Sequence, residues 1–441
     1  MAGPERRSIR LDAVSVSHFH LPHTPQLAPE QYRANFAHLY GDIVWYGVLN
    51  GSNIAFVNVF AARQGATPFE VGLLTAGPAI VNFIFALPSG HWLRKQPIDT
   101  AVFWTSVLTR VFYLLWIPLP WLLLPRLQVW ALIGLTLVMS IPATALVVGF
   151  NDLFAQAVPP DWRSQVSAIR NALLAVSSMI STLVCGVILN QLPFPSGYQV
   201  VFGIGLMGAA LSTLNFWFLR PATEATSSLR TMRSLRRLSW PAIISPRQLL
   251  HQGGQGLLRT EILRSRFGRA VAVLFTFHLF QYLPMPLFAV YFVTTLHLSD
   301  QQISLGAAAS YVTNFVGALA LTSFARRLGY QRATGIGAAV MVFYPGLIAL
   351  AHGVELFIAA SMLGGLGWGL MSSAFLNYIL ERVPPEDRSP HLAWYNLALN
   401  AAILVGSLIG PLIAAQIGLA AAMGLFAVGR LVSGLCIVRW G

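Results

Sequence analysis

The sequence predicts an all-α polytopic membrane protein in which twelve transmembrane helices form two parallel six-helix repeats. Composition, the length of the apolar segments and an internal repeat all lead to this fold class. Of the 441 residues, 56% are hydrophobic and 10% are charged, whereas soluble domains carry about 25% charged residues. A soluble chain of this composition would expose large apolar patches and aggregate. The composition also excludes disordered, collagen-like and disulfide-rich proteins.

Twelve segments are long enough to cross a bilayer, which takes about 20 apolar residues in a helix. Apolar and polar residues do not alternate along these segments with a period of two, so membrane-spanning strands are not expected. In chain order the predicted helices lie near 38–61, 69–92, 100–123, 128–151, 166–189, 198–219, 270–293, 303–324, 333–351, 355–377, 391–413 and 417–437.

The segments between the helices justify these divisions in order. In the first half, the polar turn 64–67, the basic turn 92–95 and the sequence 158–164 separate successive apolar runs. In the second half, Pro284 and Pro286 interrupt the seventh helix, because proline has no N–H to donate. We therefore expect a cytoplasmic tail at 1–36, a helical bundle at 37–219, a basic cytoplasmic linker at 220–269 and a second bundle at 270–441. Part of the linker could also form an amphipathic helix on an anionic membrane surface.

An internal repeat relates the two predicted bundles. The sequence VPPDWRS at 158–164 matches VPPEDRS at 383–389, an offset of 225 residues, and the same offset pairs Asn171 with Asn396. The basic turns at 92–95 and 324–327 align at an offset of 232. Both halves therefore follow one plan, in the same order and the same membrane orientation.

This duplication, with its basic turn after the second helix and its VPPxxR loop after the fourth, resembles the major facilitator superfamily over residues 36–437. The resemblance implies secondary transport by alternating access, with the first and fourth helices of each half lining a central cavity. The basic turns depart from the family pattern, because Arg94 and Arg326 stand where that pattern has an acid.

The charge distribution predicts the orientation. The net charge is +13, and basic residues concentrate in alternate loops and in the first 36 residues. By the positive-inside rule both termini are cytoplasmic, and we expect a multi-pass protein of the cell (inner) membrane. The partners expected are the lipid bilayer and a small-molecule substrate, with no nucleic acid, and a monomer suffices for this architecture.

Cofactor and metal sites are not expected. The only lysine, Lys95, is followed by glutamine, so no phosphate-binding loop is present. The two cysteines lie in apolar segments and offer no metal-ligand spacing.

Asp42 is the only clear acid at bilayer depth in the predicted helices and shares a face of the first helix with Tyr46 and Asn53. Ionisable groups at bilayer depth are costly and are functional candidates. Asp42 lies about four residues into this predicted helix, so it is either a proton or cation site or a structural bond to a neighbouring loop. Arg110 in the third helix is either a structural charge or an anchor for an anionic solute.

His278, Gln281 and Tyr282 share a face of the seventh helix, beside its prolines. Interrupted helices often frame transport sites. His278 is therefore either a proton carrier in the cavity or a neutral buried histidine bonded to a carbonyl. Other polar side chains either line the cavity or join helices; they are Ser140, Thr144 and Asn151 in the fourth helix and Trp368 and Ser372 in the tenth.

The cytoplasmic loops predict a gate that closes when the protein opens outward. Its members would be basic and acidic side chains of the two halves, forming weak pairs that can reopen. They are Arg94, Lys95, Asp161, Arg163, Arg326, Arg327, Glu386 and Arg388.

The function predicted from the sequence is secondary transport of a small organic solute, neutral or amphipathic. If transport is coupled to protons, Asp42 or His278 is expected to carry the proton. One alternative is a non-transporting assembly or sensor protein on the same fold, because fold does not settle function. Another is a membrane enzyme acting on lipid-linked substrates. The loops show no acid cluster or nucleophile suited to such chemistry, so we expect no enzyme activity.

Overall fold

The computed structural model describes residues 30–221, 260–384 and 388–441, and the regular structure in these ranges is helical. Twelve of its helical segments are long and apolar enough to span a membrane, which confirms the predicted fold class. The predicted tail and linker lie mostly outside the described residues.

Within residues 30–221, six helices are long enough to span a membrane. Helix α1 covers Glu30–Leu49 and continues through a π-helical turn, Asn50–Ile54, into Ala55–Arg63. The others are α2 (Pro68–Leu93), α3 (Ile98–Trp116), α4 (Pro125–Ala157), α5 (Pro160–Gln191) and α6 (Ser196–Phe218). Helix α1 begins before the predicted residue 38, so Asp42 lies further inside it than expected.

Residues 260–384 and 388–441 contain six more such helices, with more interruptions. Helix α7 consists of Arg266–Tyr282 and Met285–Thr294, broken at the predicted prolines. The segment Asp300–Val340 contains α8 and the start of α9, which meet at Gly329, where φ is 79°; α9 continues as Phe343–Leu350. The remaining helices are α10 (Val354–Leu380), α11 (Arg388–Ile417) and α12 (Leu419–Trp440).

The start of α2 and the start of α8 show how closely the halves repeat. Thr67 and Glu70 form a capping box before α2, and Ser299 and Gln302 form one before α8. In each pair, the side chain of the first residue accepts a hydrogen bond from the backbone N–H of the second. The side chain of the second residue accepts one from the backbone N–H of the first. Both pairs align at the offset of 232 residues found in the sequence.

The helices of the two halves also pack in matching pairs. Helix α1 packs on α5 and α6, as α7 packs on α11 and α12. The halves meet where α5 crosses α8 and where α2 crosses α11. A Cβ at Gly186 would overlap Ser304 at the first crossing, and one at Gly72 would overlap the carbonyl of Ser407 at the second. Glycine therefore lets the backbones approach at both crossings.

Buried apolar side chains form three clusters, and their distribution distinguishes the two ends of the bundle. We call the end with turns 64–67, 192–195 and 295–299 the distal end, and the end with residues 94–97 and 441 the terminal end. The largest cluster joins both halves toward the distal end and includes Phe56, Phe60, Leu287 and Phe292. Toward the terminal end, each half has a separate cluster. The halves are thus joined at the distal end and packed independently at the other.

Candidate functional site

Asp42 forms a buried ion pair with Arg170 of α5. The distance from Asp42 Oδ2 to Arg170 Nη2 is 3.1 Å, and 3% of Asp42 is exposed. Ser212 Oγ of α6 donates to Asp42 Oδ1, and Arg170 Nη1 donates to the carbonyl of Leu39 at 2.6 Å. The partners of Asp42 are therefore on helices and not on a loop. Sequence analysis missed Arg170, although an arginine within an apolar segment was a usable signal.

Arg110 is the second guanidinium in this region. Its Nη1 donates to the carbonyl of Ala209 at 2.7 Å and to Thr213 Oγ1 at 2.6 Å, both on α6. The guanidinium carbon lies 5.4 Å from the ring centroid of Phe216. Arg110 is therefore held against α6 within the first half.

The π-helical turn of α1 carries polar side chains in the middle of the helix, and such turns are frequent at functional sites. Asn50 Nδ2 lies 3.0 Å from Ser178 Oγ and 3.0 Å from Tyr311 OH. Since Tyr311 is on α8, this amide links the two halves. Asn53 is fully buried, and neither polar atom of its side chain has a hydrogen-bond partner.

His278 of α7 is buried among aromatic rings. Its Nε2 lies 3.2 Å from Tyr395 OH of α11, and the rings of Phe375 and Tyr395 have centroids 5.7 and 6.0 Å from its own. Gln281 and Tyr282, which follow on the same helix, are partly buried. The predicted carbonyl bond to His278 is thus replaced by a bond to a phenol.

The pairs Asp42–Arg170 and His278–Tyr395 each join the first helix of a half to the fifth helix of the same half. Tyr395 follows Arg170 by the repeat offset of 225 residues. The duplicated fold therefore holds an ion pair in one half and a neutral hydrogen bond in the other.

Arg430 of α12 supports the break in α7. Its Nε donates to the carbonyl of Phe280 at 3.1 Å, its Nη2 to that of Gln281 at 2.8 Å, and its Nη1 to that of Met341 at 3.4 Å. Pro284 and Pro345 each stand four residues after one of these carbonyls and have no N–H to donate to it. Arg430 is 1% exposed and replaces those missing donors. Sequence analysis missed it, although the prolines indicate the need for a donor.

The other predicted cavity residues are spread over separate surfaces. Ser140 and Thr144 are buried, and their hydroxyls donate to carbonyls of α4 itself, those of Thr136 and Ser140. Asn151 and Ser372 are exposed, and Trp368 is 40% exposed. A cavity role for these five stays a prediction.

The predicted gate residues lie at the terminal end. Arg163 donates to the carbonyls of Val158 and Ala155, while Arg94 lies 3.4 Å from the ring of His91. Lys95, Asp161 and Arg327 are exposed. Glu386 and the side chains of Arg326 and Arg388 lie outside the described residues. Because the gate is expected to close only in the opposite conformation, it stays a prediction.

An ion pair at the distal end joins the halves and was missed in the sequence. Arg63 Nη2 lies 3.0 Å from Asp300 Oδ1 and 2.7 Å from the carbonyl of Leu298. Tyr198 OH donates to the same carboxylate oxygen at 2.8 Å. Among the salt bridges of the described residues, this is the one that connects the two halves. The described residues also contain no cluster of three potential metal ligands.

These features define a multi-pass helical membrane protein made of two similar halves with polar groups between its helices. A family model described as "Major Facilitator Superfamily" matches residues 270–441, and one described as "PUCC protein" matches residues 106–260. No curated protein matches the chain.

Several solved structures have a similar fold. A bacterial homologue of the iron transporter ferroportin in the inward-facing state is 15% identical, with a TM-score of 0.66 over 92% of this chain and 98% of that one. The nucleoside transporter NupG is 13% identical, with a TM-score of 0.65 over 92% and 98%. A D-xylose-proton symporter is 14% identical, with a TM-score of 0.65 over 92% and 97%. At this identity the likeness shows the fold alone.

The resemblance to the major facilitator superfamily is thereby confirmed for residues 270–441, which its family model matches, and the fold of these transporter structures extends over 92% of the chain.

Proposed function

We propose that the protein moves a small organic solute, neutral or amphipathic, across the cell (inner) membrane by alternating access, with both termini in the cytoplasm. The similar structures are those of a nucleoside transporter and a sugar–proton symporter, which fits a solute of this size. One copy of the chain contains both halves, so a monomer suffices.

The observation that carries this proposal is the asymmetry between the two ends of the bundle. The halves are held together at the distal end by the shared apolar cluster and by Arg63 and Asp300. At the terminal end each half has its own core, and no ion pair of the described residues joins them. If the terminal end is cytoplasmic, this arrangement is the inward-facing state of an alternating-access cycle.

Proton coupling would use Asp42 or His278. Both are buried titratable groups, and each lies on the first helix of its half. Protonation of Asp42 would weaken its bond to Arg170, and protonation of His278 would make its Nε2 a donor to Tyr395 OH. Either change would alter the packing of the first helix of a half on the fifth.

Reconstitution of the full chain into proteoliposomes tests transport. Uptake of a library of neutral and amphipathic compounds would be measured with and without a pH gradient. Transport predicts accumulation of at least one compound above that in protein-free vesicles. Failure with every compound would contradict transport and favour a non-transporting assembly or sensor protein.

The Asp42→Asn variant tests coupling through this acid. If Asp42 carries the proton, the variant loses the dependence of uptake on the pH gradient, whereas an unchanged dependence removes Asp42 from the mechanism. Asp99→Asn is the matched control, because Asp99 pairs at 3.8 Å with Arg220 within the first half. His278→Gln tests the second group in the same way.

A further inference from the structure

Two buried guanidinium groups share one carboxylate in the first half. Arg110, Arg170 and Asp42 are 6%, 8% and 3% exposed. Arg170 bonds Asp42 directly, and Arg110 is held close by, because its partner Thr213 is next to Ser212, which donates to Asp42. This cluster therefore carries one positive charge more than its acid balances. A buried charge is costly unless it is paired, so the excess calls for an anion.

One edge of the Arg110 guanidinium is free to bind that anion. Its Nη1 is bonded to α6, but neither its Nε nor its Nη2 has a hydrogen-bond partner among residues 30–221, 260–384 and 388–441. These two nitrogens form the planar fork that binds a carboxylate with two parallel hydrogen bonds. Arg430 differs, since all three of its nitrogens donate to carbonyl groups.

Further unbonded donors lie on the same helices. Trp116 Nε1 on α3 and Asn53 Nδ2 on α1 are buried without a hydrogen-bond partner. Asn53 packs against Gly205 of α6, where a Cβ would overlap its Oδ1. Buried donors without a partner are rare in proteins and need an explanation. Two buried donors without a partner therefore lie on α1 and α3, and α3 also carries the Arg110 edge.

From these contacts we propose that the Arg110 edge binds the carboxylate of the transported solute, which is therefore an amphipathic organic anion. This inference rests on the proposed function and names its substrate class. The same excess positive charge disfavours a cation.

Three probes with one ring system but different charge test the proposal. Binding of naphthoate, naphthamide and naphthylmethylammonium to the purified full chain would be measured by isothermal titration calorimetry. Naphthoate is expected to bind at least about tenfold more tightly than naphthamide, and the cation most weakly. Arg110→Gln removes the hydrogen bonds between the charged guanidinium and the carboxylate. The loss of such bonds should weaken naphthoate binding about 10- to 100-fold and leave naphthamide binding unchanged.

Two further variants make the test specific. Arg110→Lys keeps the charge but loses the fork, so it should weaken naphthoate binding about tenfold and decides the matter if Arg110→Gln does not fold. Arg126→Gln is the matched control, because Arg126 is 58% exposed and pairs with Glu70 outside this region. Unchanged naphthoate binding in both Arg110 variants, tighter binding of the cation, or no binding of naphthoate would each overturn the proposal.

Chloride and transport data separate the remaining possibilities. If chloride alone stabilises the wild type against heating through Arg110 and naphthoate does not, the edge binds a free anion and the proposed solute class is wrong. Uptake of neutral or cationic compounds that is indifferent to Arg110 would overturn this inference and leave transport standing. Arg110-dependent binding of naphthoate without transport of any compound would uphold the anion site and contradict the proposed function.

Discussion

Removing the charge of Asp300 should open the distal end. Asp300→Asn keeps the size of the side chain and an oxygen that accepts from Tyr198, but it removes the ion pair with Arg63. Both Arg63 Nε and Nη2 donate to Asp300 Oδ1, at 3.1 and 3.0 Å. The side chains are 25% and 12% exposed, so water screens the pair only in part.

The size of the effect follows from these contacts. A hydrogen bond to a charged group contributes about 1.5–3 kcal/mol, and partial exposure reduces the value for a pair. We therefore expect the distal-closed state to lose about 2 kcal/mol relative to the distal-open state. That change shifts the ratio of the two states about 30-fold.

Spin-label distances measure this shift. Labels at Leu124, which is 72% exposed, and at exposed His352 report the separation of the halves at the distal end. Asp300→Asn should raise the population with the longer distance. Asp99→Asn is the control, since its ion pair with Arg220 lies within one half. An unaltered distance distribution in Asp300→Asn would refute a closing role for this ion pair.

Three further predictions concern stability, read as the melting temperature of the purified protein. Arg170→Gln leaves the Asp42 carboxylate buried without its partner and should cost about 3–5 kcal/mol; adding Asp42→Asn should recover part of that loss, and strict additivity would contradict the pairing. Arg430→Met removes the donors to three carbonyls and should lower the melting temperature far more than Arg439→Met, which changes an exposed arginine of the same helix; equal effects would contradict its role at the helix breaks. Gly186→Val should overlap α8 and destabilise the contact between the halves, so a wild-type melting temperature and wild-type spin-label distances would contradict the close crossing.

The sequence by itself determined the twelve helices, the duplication and the resemblance to the major facilitator superfamily. Each of these depends on short-range or repeated patterns: apolar segments long enough to span a bilayer, the prolines that break α7, and loops that recur at a constant offset. The capping boxes at Thr67 and Ser299 also depend on residues three apart. Such patterns can be recognised in the sequence without knowing which helices are in contact. The reason is that each backbone segment that spans the bilayer has to satisfy its own hydrogen bonds and therefore forms a helix.

The tertiary structure alone decided which polar groups meet. Asp42 finds Arg170 at a separation of 128 residues, and Arg63 finds Asp300 at 237. Sequence analysis singled out Asp42 and Arg110 but left the structural and functional interpretations open, because a buried charge acquires its role from its partner. The identity of that partner depends on which helices cross and on where along their length they cross. The duplicated sequence pattern is compatible with several such helix pairings. The packing of α1 on α5 and α6 left one edge of Arg110 unbonded, and that edge is the basis for the proposed substrate class.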